Sequence, residues 1–209
     1  MTQRNRALRR WARFRQPRPR PWWVPLPAGG INRQTRMSES ASWTLEECLV
    51  SEDWRDTGHA TVVMVRKSED GRYAAAGFLV DLSCLGIKCA IGEVNVDEEV
   101  ICDLLELMSI GEHLIRCDAL LAAKIVHTGH EYGEALGFET HEDYHWAAEI
   151  LGGIDEAACA ETIPTGQNGK PLFLAEPGDD LGGVVAHLEA QLGPDGFLFI
   201  APLGTTPQA

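Results

Sequence analysis

The residues with the clearest chemical spacing are His141, Glu142 and His145, which form an H-E-x-x-H pattern. On a helix, histidines at i and i+4 share a face and can hold one zinc ion, while the glutamate can activate metal-bound water for hydrolysis. His127 and His130 precede them by one short loop and would widen the metal set, with Asp143, Glu131 or Glu134 supplying oxygen ligands. Mixed nitrogen and oxygen ligation suits zinc or another first-row ion. A plainer reading competes. Thr140 is placed to cap the helix, so the pattern falls in a first turn, and Glu142 points away from the apolar face of Tyr144, Ala147, Ala148 and Leu151. Histidines near a helix C-terminus, as His127 and His130 are, also complement its dipole.

A second constellation, Asp81-Leu82-Ser83-Cys84-Leu85-Gly86-Ile87-Lys88-Cys89, follows an apolar run. Asp81 could ligate a metal or act as a base, and Cys84 could be a nucleophile if Lys88 or a histidine lowered its pKa. Against this, Cys84 and Cys89 have the flanks of core residues, and an aspartate at a strand end bonds the amides of its own turn. The free amides of a helix starting at Thr140 would favour a nearby carboxylate. That places Asp81 or Cys84 beside His141 in one pocket, with Lys88 at its rim; the alternative puts the two loops at opposite ends of the sheet. Gly166-Gln167-Asn168-Gly169-Lys170 reads as a turn, because no helix follows Lys170 to make it a phosphate loop. Glu176, Asp179 and Asp180 could bind a divalent cation, but helix capping accounts for Asp179 or Asp180. Trp43, Trp54 and Trp146 read as core or rim aromatics.

These residues are carried by elements that the pattern outlines. Thr44-Leu45-Glu46-Glu47 has the form of a capping box and predicts a short helix to about Val50. Ala60–Lys67 and Arg72–Leu82 flank Ser68-Glu69-Asp70-Gly71 and predict an antiparallel hairpin whose second strand, apolar on both faces, is central. Helices are predicted over 97–108, 118–136 and 140–151. Gly129 and Gly133, one turn apart in the second, would admit another backbone closely. A second hairpin is predicted around Asn168-Gly169 between Ala160–Thr165 and Lys170–Ala175, then a helix to Leu192 and a buried strand, Gly196–Ala201. The expected fold is a single α+β domain over residues 42–201. Its sheet is mainly antiparallel, built from two hairpins plus a final strand, and covered by three to four helices.

Charge divides the chain. Residues 1–36 hold ten Arg and no Asp or Glu, so the net charge of −13 leaves −23 on the remainder. So acidic a body repels phosphate backbones, and nucleic acid could bind only through residues 1–36. The Arg- and Pro-rich stretch to residue 41 is expected to be a disordered arm, and 202–209 a tail. The arm has four readings: a nucleic-acid-binding segment, a targeting peptide, a polyproline-type partner ligand, or sequence upstream of a start at Met37. No run of about 18 apolar residues exists, so a membrane span is not expected. Six cysteines without a C-x-x-C pair, and no secretory signal, point to free thiols in the cytoplasm.

Phe78–Lys88, Leu136–Tyr144 and Gly166–Asp180 together resemble an uncharacterised bacterial family. In that family a strand ending V-D is followed by C-L-G-x-K and later by G-F-x-P-H-x-D; Thr140 stands here where the family has proline. The resemblance implies no activity, but it directs attention to Asp81, Cys84, Lys88, His141 and Asp143. The function expected is that of an intracellular accessory or protein-interaction domain. A metal-dependent hydrolase with zinc on His141 and His145, and nucleic-acid binding through the arm, are the alternatives.

Overall fold

The structure, a computed structural model, describes residues 32–175 and 179–201. The arm up to residue 31, Glu176 and the tail lie outside the described residues.

The hairpin forms as its sequence dictates. β2 (His59–Lys67) and β3 (Tyr73–Asp81) pair without interruption from His59↔Asp81 to Lys67↔Tyr73. The turn closes through the Ser68 N–H donating to the Arg72 carbonyl at 2.9 Å, with Gly71 at φ +85°. Both strands alternate large residues between two buried faces: Val62, Met64, Phe78 and Val80 point one way, Val63, Val65 and Tyr73 the other. Strands buried on both faces need partners on both edges to satisfy their backbone groups. β4 (Gly86–Val96) covers β3, and β1 (Thr44–Ser51) covers β2, with β5 (Leu114–Arg116) beyond it. The result is an antiparallel sheet in the order β4-β3-β2-β1-β5.

β1 corrects the helix expected over 44–50. A capping box contributes on the order of 1 kcal/mol, whereas strand pairing here buries Cys48 and Val50 against one layer and Leu49 against the other. Glu47, whose box role would be to reach back to Thr44, instead pairs with Arg116 at 2.6 Å.

Helices lie on both faces. α1 (Asn32–Ser40) packs on β4, and α2 is the single turn Trp54–Thr57. α3 (Glu98–Met108) covers one face of the sheet through Ile101, Leu104, Leu105 and Met108. α4 (Ala119–Ala135) crosses the other, started by Asp118 accepting the Leu120 N–H at 2.8 Å. Met37 and Ser40 are fully buried, so the folded body begins inside the segment assigned to the arm.

Two further expectations are revised. The helix over 140–151 shrinks to α5 (Tyr144–Ala147) and a 3-10 turn, Ala148–Leu151. Thr140 spends its hydroxyl on His130 Nδ1 at 2.9 Å rather than on helix amides. The second hairpin is absent apart from one bridge, Gln167↔Lys170. Its second arm, β6 (Leu172–Leu174), pairs in parallel with β7 (Leu198–Ile200), and α6 (Leu181–Leu192) connects them. This β-α-β unit has its own core of Phe173, Leu181, Leu188 and Phe197, into which Cys84 inserts. The final strand is therefore outside the main sheet and exposed at Phe199 and Ile200.

The loop from β3 to β4 lies directly on α4. Gly86, at φ +76°, is so close that an added Cβ would stand 2.8 Å from both the Gly129 carbonyl and the Gly133 Cα. Two backbones meet because neither side carries a Cβ. Gly133→Ala is expected to lower stability by about 1–3 kcal/mol, although alanine favours a free helix by about 1 kcal/mol. Urea denaturation checks this; an unchanged or raised midpoint would contradict the close contact.

Candidate functional site

The site is built outward from Asp81, the last residue of β3. Its carboxylate, 2% exposed, accepts the N–H groups of Ser83 at 2.8 Å and of Cys84 and Leu85 at 3.0 Å. Hydrogen bonds to a charged acceptor are worth more than neutral ones, and three together hold the loop backbone in one shape. Across the ladder, His59 brings its Nε2 to 3.5 Å from Asp81 Oδ1. Gly58, left-handed at φ +73°, leaves no Cβ where Ser83 Oγ sits, so the serine and His59 share one wall.

That wall faces a cleft of about 570 Å³, within the range of ligand sites. It runs between α2 and the main sheet on one side and β6 on the other. Leu82, Leu172, Leu174 and Pro164 give it apolar surface; Asp56, His59, Ser83 and Gln167 give it polar groups. Arg55 stands at the mouth, paired with Glu161 and stacked 4.3 Å over the Trp54 ring. A smaller cleft of about 290 Å³ lies beside the same loop, lined by Leu85, Ile87, Lys88, Phe138, Glu139 and His141.

The residues predicted from the sequence fall into separate places. Lys88 and His141 do share the smaller cleft, but Asp81 and Cys84 do not line it. Cys84 is fully buried, and burial pushes its thiol up to about 12, with the Asp81 charge adding to the shift. A thiol held neutral is a poor nucleophile, and packing accounts for it. His141 precedes α5, and its Nδ1 accepts the Asp143 N–H at 3.2 Å. Glu142 is in an exposed turn and His145 on the exposed side of α5, so H-E-x-x-H does not occupy one helix face. Asp143 accepts from Trp146 Nε1 at 2.8 Å.

His127 pairs with Glu156. His130 stacks on Tyr144 with ring centroids 4.2 Å apart and bonds Thr140. Burial pushes the His130 imidazole below its ordinary value, against the pull of Glu134, and nearby His145 and His127 push it the same way. Among the described residues no three His, Cys, Asp or Glu side chains gather to hold a metal ion. Four of the proposed ligands have other partners, His127 with Glu156, His130 with Thr140, His141 with the Asp143 N–H and Asp143 with Trp146, while His145 keeps its ring 6.1 Å from that of His130.

Arg55, His59 and Glu161 are not singled out by the sequence, and Ser83 figures there only within the Asp81–Cys89 run. For His59 a signal existed, because counting back through the hairpin from its turn places it opposite Asp81. Arg55 and Glu161 had none, since they meet across 106 residues.

No family model matches the chain, and no curated protein or solved structure is significantly similar to it.

Asp81→Asn replaces one acceptor oxygen by an amide that would confront the loop N–H groups. It is expected to cost about 2–3 kcal/mol and to make Cys84 reactive toward an aromatic disulfide reagent under native conditions. Thiol titration and urea denaturation check both; an unchanged midpoint with Cys84 still unreactive would contradict the role given to the carboxylate.

Proposed function

We propose that the protein is an interaction domain that receives an extended, basic segment of a partner protein along β7. The observation that carries this reading is the outer edge of β7. Leu198 donates to the Pro171 carbonyl and Ala175 to the Ile200 carbonyl, so residues 198 and 200 turn their backbone groups toward β6. In a parallel pair the intervening residue faces the other way, which leaves the Phe199 N–H and carbonyl on the outer edge. Among the described residues no strand pairs there. Phe199 and Ile200 are 49% and 60% exposed. Open edges are ordinarily guarded by lysine, proline or a covering element, because they template strand addition.

Charge favours a basic partner. Residues 171–201 contain Glu176, Asp179, Asp180, Glu189 and Asp195 and neither Lys nor Arg. Complementary charge would steer such a segment to the edge and make binding sensitive to salt.

A short peptide alternating lysine and valine, added to the full-length protein, is expected to produce saturable amide shifts at Leu198–Ile200. Phe199→Lys, at an exposed position, should weaken binding at least tenfold by removing the ring's contact and setting a like charge against the lysines of the segment. Shifts absent from β7, or equal binding of a glutamate–valine peptide, would overturn the reading.

A further inference from the structure

The larger cleft has a composition that β7 lacks. Its apolar surface is aliphatic, Asp56 and the Glu161 partner of Arg55 put carboxylates beside it, and the Arg55 guanidinium already rests there. We propose that this cleft accepts an arginine or lysine side chain of the partner segment, an inference that rests on the reading of a basic partner given above.

The charges around the cleft support a cation. Asp56 lines it, Glu161 pairs with Arg55 of its lining, and Asp81 lies behind His59. Glu112 lies near both His59 and Asp53, and burial together with the Asp53 charge pushes its carboxyl above its usual range. In the lining itself Asp56 stands with Arg55 and the imidazole of His59, and the carboxyl groups behind them, Glu161 on Arg55 and Asp81 on His59, outnumber the cations. An anionic ligand would be repelled. A bare inorganic cation would leave the leucines unused, and no three-ligand group is present among the described residues. An arginine or lysine side chain uses both features, because its methylene stem lies along apolar surface while the head keeps to carboxylates and water.

Arg55 shows that the mouth accommodates such a head. Its guanidinium lies over the Trp54 face and pairs with Glu161, an arrangement an incoming arginine can compete for. The pair is half-exposed, and exposed ion pairs contribute little, so displacing it costs little. Arg55 is therefore a resident competitor, and removing it leaves Glu161 for the ligand.

The test uses the full-length protein and three probes: N-acetyl-arginine amide, N-acetyl-lysine amide and N-acetyl-norleucine amide, which keeps the stem without the charge. The two cationic probes are expected to shift the amides of Gly58, His59, Ser83 and Gly166 saturably, and the norleucine probe to leave them unmoved. Asp56→Asn with Glu161→Gln, both at exposed positions, should abolish the shifts. Arg55→Ala should tighten the arginine probe roughly two- to fivefold, the range an exposed ion pair supplies. Equal response to norleucine amide, or no saturable shift with any probe, would overturn the proposal. So would cationic probes that bind while the lysine–valine peptide leaves the cleft amides unmoved, because the site would then serve free amines. If that peptide shifts the cleft amides and not β7, the strand-edge reading falls and the cleft stands.

Discussion

A buried carboxylate that accepts three backbone N–H bonds fixes the path of the loop from Asp81 to Leu85, and most of the molecule is arranged around that loop. On one side its Gly86 backbone rests on α4 at Gly129 and Gly133. On the other, its carbonyls receive the chain returning from the far end of the sequence: Gly166 donates to Leu82 at 2.9 Å and Leu172 to Ser83 at 2.9 Å. Cys84 projects between them into the core of the β-α-β unit. The loop therefore joins the main sheet, the helical layer and the small parallel sheet. Both clefts border it for that reason, since clefts form where independently packed layers meet.

This arrangement separates structural from receptive chemistry. The side chains with the most reactive reputations, Asp81 and Cys84, are spent on holding the loop. The groups that reach the larger cleft are an imidazole backed by that carboxylate, a serine against a glycine, Asp56, and an arginine whose partner is Glu161. They form a polar rim over leucines, which suits recognition of a side chain with an aliphatic stem. The proposal of an extended, basic partner rests on the acidic composition of residues 171–201 and on the open edge of β7.

How much of this was legible depended on the distance over which each interaction acts. The Ser68–Gly71 turn, the doubly apolar β3 and the pair Gly129/Gly133 were readable because local periodicity and glycine spacing report directly on packing. Thr44–Val50 carries a helix signal that misleads, because the capping pattern is local while the segment's fate is set by the edge of β2. The Asn168-Gly169 turn exists, but its flanks pair with Leu82, Ser83 and β7, partners that no short-range pattern announces. Lys88 and His141 line one small cleft beside the loop, but Asp81 and Cys84, expected next to His141, do not. His141 and Glu142 precede α5 and His145 is exposed on it, so the H-E-x-x-H letters do not share one helix face; five letters of sequence cannot show that the Thr140 hydroxyl is engaged by His130.

Native-state hydrogen exchange tests the central role of the loop most directly. If Asp81 ties the layers into one cooperative unit, the amides of Ser83, Cys84, Leu85, Gly166 and Leu172 will exchange with the same opening free energy as Val62–Val65 in β2. If residues 166–201 open at distinctly lower free energy while Ser83–Leu85 stay protected, the β-α-β unit is an independent appendage, and the loop does not unite the fold.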